Sequence, residues 1–375
     1  MIPVNQPLLG AREKELLAEC IDTGWISSDG PFIAQFERSF AGYIGADHGI
    51  AVCNGTAALE VAMFAAGVRE GDEVIMPSFT IISCALAALR LGATPVLVDA
   101  EPDTWNMDVS RIEARVTART KAILPVHTYG HPVDMDPVLE LARTHGLVVI
   151  EDAAEVHGAE YKGRRCGSLG DISCWSFYAN KIVTTGEGGM VLTSDPVMAE
   201  RAASYRNLCF RPERRFFHTE LGYNFRMTNL QAAVGIAQME RIDELVSIKR
   251  RLGERYRRGL EGIAGVRFQP ELPWAKSVYW MYCVEVDAAV GLNAENMMRG
   301  LGQRGIGTRP FFLGLHEQPA LHDLGLFKGE RYPIAERIAR QGFYLPSGLT
   351  LTDAQVDEVI SAVRDVTASL SKQAS

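Results

Sequence analysis

Short apolar runs at residues 49–52, 74–76, 96–98, 122–124, 147–150 and 172–177 recur between helical stretches such as 57–66, 82–91 and 137–144. Apart from Ser173 and Ser176 in the last, the runs carry no polar side chain and do not alternate, so each reads as a strand covered on both faces. Strands separated by helices are the unit of a parallel sheet. The pattern therefore predicts an α/β fold, a large, doubly wound, mostly parallel sheet with helices on both faces. At 375 residues the chain exceeds what one small core accommodates. It is expected to divide into a large domain, residues 1–240, and a small carboxyl-terminal α/β domain, residues 241–375. The second would be built from segments at 278–286, 293–304, 307–311, 333–341 and 352–370 and reached through a long charged helix at 241–259.

A net charge of −8 and a pI near 5.6 argue against nucleic acid or an anionic membrane as a partner. The seven cysteines are scattered, with no Cys-x-x-Cys pair, which fits a reducing compartment and no structural zinc. No metal site is expected. The first residues have neither a basic region nor an apolar core for export, and no run of about 18 apolar residues occurs, so the protein reads as cytoplasmic. A Gly-x-Gly-x-x-Gly turn after an early strand is absent, which disfavours nicotinamide chemistry.

Chemistry concentrates in Ser176-Phe177-Tyr178-Ala179-Asn180-Lys181, which runs on through Ile182-Val183-Thr184-Thr185 into Gly186-Glu187-Gly188-Gly189-Met190. A lysine between a buried apolar strand and a glycine-rich loop is held near the interior. An ammonium is costly to bury, so such a lysine titrates easily or is covalently occupied, as Schiff-base lysines are. Upstream, the run Leu147-Val148-Val149-Ile150 delivers Glu151-Asp152 at the carboxyl end of a strand. Ligands of open α/β sheets sit at that edge. A lysine that forms an imine and a carboxylate that keeps a pyridine nitrogen protonated are the two groups that pyridoxal phosphate chemistry requires. Asp152 also suits a plain helix N-cap. Asn54-Gly55-Thr56 stands between the 49–52 run and a small-residue helix, where free N–H groups and the helix dipole make a phosphate cradle.

Further marks stand in the same order along the chain. They are Gly24-Trp25-Ile26-Ser27-Ser28, Asn54-Gly55-Thr56-Ala57-Ala58-Leu59, Gly71-Asp72-Glu73-Val74-Ile75, Glu151-Asp152-Ala153-Ala154-Glu155, Gly167-Ser168-Leu169-Gly170-Asp171, the lysine loop, Gly222-Tyr223-Asn224-Phe225-Arg226-Met227-Thr228-Asn229 and Thr308-Arg309-Pro310. With them the chain resembles the DegT/DnrJ/EryC1/StrS sugar aminotransferases, pyridoxal-phosphate enzymes of fold type I, over nearly its whole length. The Trp25 to Ser28 loop, Glu155 and Asn180 most resemble the branch of that family that makes GDP-perosamine.

The resemblance implies that Lys181 and Asp152 are catalytic, and that Gly55, Thr56, Ala57, Ile81, Asp152, Glu155, Ser176, Lys181 and Asn224 contact pyridoxal 5′-phosphate, which cycles through pyridoxamine 5′-phosphate. Many relatives carry an aromatic residue where Ile81 follows Pro77-Ser78-Phe79-Thr80; here an aliphatic side chain would cover the ring. Asn224 is implied to reach into a neighbouring subunit, so a homodimer with shared active sites is expected. Trp25, Ser28, Arg309, His316 and the Phe311-Phe312 pair are candidates for the sugar pocket, with packing or a surface ion pair the alternative for Arg309, His316 and the pair, and the basic, aromatic segment 210–218 is either a solvated face or a lid near the nucleotide diphosphate. The implied reaction moves an amino group from an amino acid, L-glutamate by resemblance, to C4 of GDP-4-keto-6-deoxymannose for surface polysaccharide synthesis. A dTDP- or UDP-linked keto-sugar is the alternative. A sugar dehydratase of the same fold lacks the lysine.

Overall fold

In the computed structural model, which describes residues 1–210, 214 and 216–374, the apolar runs assemble into one seven-stranded sheet. Across it lie His48–Val52, Gly189–Thr193, Ile172–Ser176, Val148–Asp152, Thr120–Ile123, Glu73–Pro77 and Thr94–Val98, in that order. Gly189–Thr193 runs antiparallel to both neighbours, and the other pairings are parallel. Six strands therefore point one way. The carboxyl ends of His48–Val52, Val148–Asp152 and Ile172–Ser176 open on one edge, and each is followed by a segment singled out above.

Two elements give that edge its shape. The Gly55–Ala65 helix starts directly after the first strand and is buried along most of its length, because its alanines let it lie close to the sheet. The Pro31–Ile44 helix, which the apolar runs did not point to, begins with proline at its first turn and buries Phe32, Phe36 and Phe40. Phe36 and Phe40 pack on Phe177 with ring centroids 4.9 and 5.0 Å apart. An aromatic floor thus lies under the lysine loop.

The Gly167 to Asp171 motif is a structural clasp. The Glu151 carboxylate, fully buried, accepts the N–H groups of Gly167, Leu169 and Gly170 at 2.8, 2.7 and 2.6 Å. It also accepts Nε2–H of His127 at 3.0 Å, whose Nδ1 takes the Val133 N–H. Burial pushes this carboxyl up, but the His127 and backbone donors outweigh burial and hold it below its ordinary value. Gly167 sits at φ 85°, and a Cβ there would come 2.2 Å from Trp175, so only glycine fits.

A second, antiparallel sheet orders Val266–Phe268, Tyr282–Val286, Gly342–Leu345 and Arg309–Pro310. With the Ile242–Leu260, Ala294–Gln303 and Asp353–Ala374 helices it encloses a second hydrophobic core that includes Tyr256, Val284, Met297, Phe343 and Val359. The chain's first residues join it. Ile2 packs there, its N–H bonded to Gly305 and its carbonyl to the Gly307 N–H, at 2.8 and 2.9 Å. Conversely, Trp280, Phe311 and Tyr332 pack in the first core. A small hairpin sets Glu160–Tyr161 against Arg164–Arg165, and it takes Ala275–Lys276 as a third strand. Arg211, Pro212, Glu213 and Arg215 of the basic segment lie outside the described residues. Among the described residues no helix is long and apolar enough to cross a membrane.

Candidate active site

The edge where those strands end holds a cavity of 570 Å³ into which Asp152, Glu155 and Lys181 all face. A larger hollow, 630 Å³, lies among Tyr43, Arg165, Arg250 and Glu271 and shares no lining residue with it. Two ion pairs span it, Arg250 with Glu271 and Lys276 with Glu160, both at 2.6 Å.

Lys181 follows from the way its loop is pinned. The Thr184 hydroxyl donates to the Phe177 carbonyl at 2.9 Å and accepts the Gly186 N–H at 2.9 Å. Gly189 passes so close to Asn54 that a Cβ would fall 2.4 Å from the Asn54 carbonyl oxygen. The lysine side chain is 9% exposed, with Nζ 3.7 Å from Glu155 Oε1 and 3.7 Å from the centroid of the Trp280 ring. Burial lowers its pKa, and the carboxylates of Glu155 and Asp152 oppose that.

Asp152 ends its strand with its carboxylate buried. Oδ1 accepts the Ala154 N–H at 3.1 Å, and Oδ2 accepts the Cys84 thiol at 3.3 Å. Among the described residues it has no ion pair, and burial pushes its pKa up. Glu155 Oε2 accepts the N–H of Tyr129 at 2.7 Å, and burial pushes this carboxyl up to about 7.

At the other side of the cavity the Gly55–Ala65 helix presents its first turn. Asn54 Oδ1 takes the Ala57 N–H at 2.8 Å, which leaves the N–H groups of Gly55 and Thr56 without a partner inside the helix. The Thr56 hydroxyl lies 2.9 Å from that of Ser83, and Ser176 faces them. A Cβ on Gly55 would come 2.8 Å from Ser176 Cβ, so glycine is what lets helix and strand end meet there. Ile81, 45% exposed, lines the same space.

These donors suit pyridoxal phosphate. A helix N-terminus ringed by hydroxyls matches its phosphate, a buried carboxylate without a cation matches its ring nitrogen, and a buried amine matches its aldehyde.

Other sequence-predicted residues lie outside the cavity of this single chain. Trp25 is 47% exposed, and the Ser28 hydroxyl is occupied by Arg226 Nε at 3.1 Å. Asn224 is exposed. Arg309 is exposed and pairs across the sheet with Tyr344, which does line the cavity. His316 is 3% exposed, packed 4.8 Å from the Tyr332 ring and 3.5 Å from Glu336, so its imidazole is turned into the protein. Phe312, one of the residues expected at the sugar pocket, does line the cavity, whereas the lining residues Ser83, Trp280 and Tyr344 were missed from sequence. The aromatic cluster Tyr279-Trp280-Met281-Tyr282 beside a strand was the one local signal that pointed to any of them.

Comparison with known proteins agrees with this geometry. The chain matches the DegT/DnrJ/EryC1/StrS aminotransferase family over residues 7–364. It is 44% identical over 366 residues to the GDP-perosamine synthase of Caulobacter vibrioides, covering 97% of this chain and 98% of that protein. Among solved structures, the aminotransferase TlmJ from Streptoalloteichus hindustanus superposes with a TM-score of 0.91 at 36% identity, over 99% of this chain and all (100%) of that one. Spr1654 of Streptococcus pneumoniae, solved in its PLP form, gives a TM-score of 0.92 at 26% identity, covering 98% of this chain and 99% of that one. The chain belongs to the DegT/DnrJ/EryC1/StrS aminotransferase family and is a pyridoxal-phosphate-dependent aminotransferase.

Proposed function

We propose that the protein transfers an amino group from L-glutamate to C4 of GDP-4-keto-6-deoxymannose, forming GDP-perosamine. The observation that carries the chemistry is the buried Lys181 amine set between the carboxylates of Glu155 and Asp152 at the strand edge. The choice of sugar is supported by the 44% identity to a relative named for that product.

When bound, pyridoxal phosphate supplies an electron sink and, as pyridoxamine phosphate, carries the amino group between donor and acceptor. The N–H groups of Gly55 and Thr56, with the hydroxyls of Thr56, Ser83 and Ser176, bind the phosphate. Ile81 covers one ring face. Asp152 holds the proton on the ring nitrogen, which gives its buried carboxylate the cation it lacks. Glu155 faces the ring's phenolic oxygen. Lys181 anchors the cofactor; once freed, its Nζ takes the proton from the donor's α-carbon and in the second half delivers one to the sugar carbon that gains nitrogen. Asn224, exposed in this chain, completes the phosphate site of the neighbouring subunit, so the working unit is a homodimer. We place it in the cytoplasm, where its seven cysteines stay reduced.

Comparing kcat/KM for GDP-4-keto-6-deoxymannose with that for dTDP-4-keto-6-deoxyglucose tests the substrate. A site that hydrogen-bonds particular hydroxyls discriminates by up to ~10⁴-fold. A guanosine preference, with 3-keto sugars left unaminated, is expected. A thymidine preference removes perosamine and leaves the aminotransferase chemistry standing.

A further inference from the structure

Trp280 has no place in the scheme above, yet it is in direct contact with the reacting amine. Lys181 Nζ lies 3.7 Å from its ring centroid. The ring is 4% exposed and is fixed from several sides. Its indole N–H donates at 2.8 Å to the carbonyl of Asn180, the residue before the lysine. Behind it, Lys249, fully buried on the Ile242–Leu260 helix, donates to the Trp280 carbonyl at 2.6 Å and also to that of Ser347. Tyr129 lies nearly parallel to the ring, with centroids 6.3 Å apart.

The Lys249 bond fixes the backbone that carries the ring, and the ring itself cannot turn away from the amine without breaking its bond to Asn180 and leaving Tyr129. The amine in turn needs the ring. Glu155 Oε1, at 3.7 Å, stands beyond ordinary hydrogen-bond length, so the carboxylate attracts Nζ without fixing its position. An ammonium shut away from water is drawn to the face of an indole more strongly than to any other aromatic ring.

We infer that Trp280 is a positioning residue whose ring face is the resting place of the Lys181 amine whenever that amine is not bonded to the cofactor. Glu155 and the ring together keep Nζ aimed into the cavity between the two halves of the reaction. The inference rests on the role proposed for Lys181. The titratable groups that face Lys181 are Glu155 and Asp152, with His157 behind the loop, where burial pushes the imidazole down to about 3 and keeps it neutral.

The test replaces Trp280 in the full-length chain with tryptophans bearing one, two and three ring fluorines. These nearly preserve the shape and progressively weaken the attraction for a cation, while the three neighbouring groups stay unaltered. In cofactor-free protein, the pH midpoint for reductive methylation of Lys181 by formaldehyde and cyanoborohydride is read from the mass of its peptide. The expected result is a midpoint that falls with each fluorine, by about one pH unit, a tenfold change, across the series. Trp280→Leu is expected to lie at the low end and Trp280→Phe between it and the native chain. A midpoint that does not move along the series overturns the inference, as does one that rises. Borohydride reduction of the native holoenzyme separates this from the parent reading. If the cofactor is fixed to a residue other than Lys181, the proposed function fails; if it is fixed to Lys181 while the midpoints coincide, only the role of Trp280 fails.

Discussion

Lys181 and Asp152 are opposite charges that burial discourages, held in one cavity without touching each other, and that tension is what a cofactor carrying both an aldehyde and a basic nitrogen relieves. Purified protein is accordingly expected to absorb visible light, and borohydride to fix the cofactor to the peptide containing Lys181. In Lys181→Ala no residue should be labelled, and a labelled peptide elsewhere would remove the lysine from the chemistry. Asp152→Asn keeps the shape but loses the charge that holds the ring proton, so the rate of the half-reaction with glutamate should fall about 10²-fold or more in stopped-flow absorbance. Turnover near the native rate would make Asp152 a mere cap. At this scale the sequence was legible wherever function rests on a local oddity: a lysine between apolar strand and glycine loop, an acid ending a strand, a glycine at a helix start. Trp280 and Tyr344 carry no such mark, since an aromatic residue far down the chain looks the same whether it fills a core or a cavity wall. His316 shows the reverse error, a histidine that suits a sugar pocket by type but is turned inward against Tyr332.

Among the elements, the Ile242–Leu260 helix carries the least expected group. Among the described residues Lys249 has no carboxylate beside it, its amine donating to two carbonyls, and burial pushes its pKa down to about 7. In the unfolded chain a lysine titrates near ~10.4. Between those values the unfolded chain holds a proton that the folded chain has given up, so this group's contribution to stability rises with pH from about 7 to about 10 and is flat below. Lys249→Met removes that slope. Thermal midpoints of the two proteins measured across this interval should show the native chain gaining on the variant as pH rises, and parallel curves would mean that Lys249 keeps its proton throughout. Most strands and helices were legible because apolar runs and small-residue stretches differ in period. The Pro31–Ile44 helix escaped notice because its signal is a spaced stripe, Phe32, Phe36 and Phe40, rather than a run.

For the whole molecule, the site is incomplete in one chain on the reading proposed here, because Asn224 points outward. Mixing Lys181→Ala with Asn224→Ala protein, each inactive alone, should restore activity. A hybrid dimer holds one site with both native residues, and up to about a quarter of native activity is expected if subunits pair at random. Proven subunit exchange with no recovery would argue against shared sites. What the sequence could not convey at this scale is the position of Ile2, since a terminus joining a core built some 250 residues later leaves no local trace. Its consequence is mechanical. The chain passes between the two cores not only at Ile2 and through the Ile242–Leu260 helix but again at Trp280 and over Phe311 to Tyr332, so the second core is stitched to the first at several points rather than hung on one swivel. A swing of the second core as a whole would have to tear Trp280, Phe311 and Tyr332 out of the first, so Trp280 and Tyr344 keep their places in the cavity wall beside Lys181 as parts of one body.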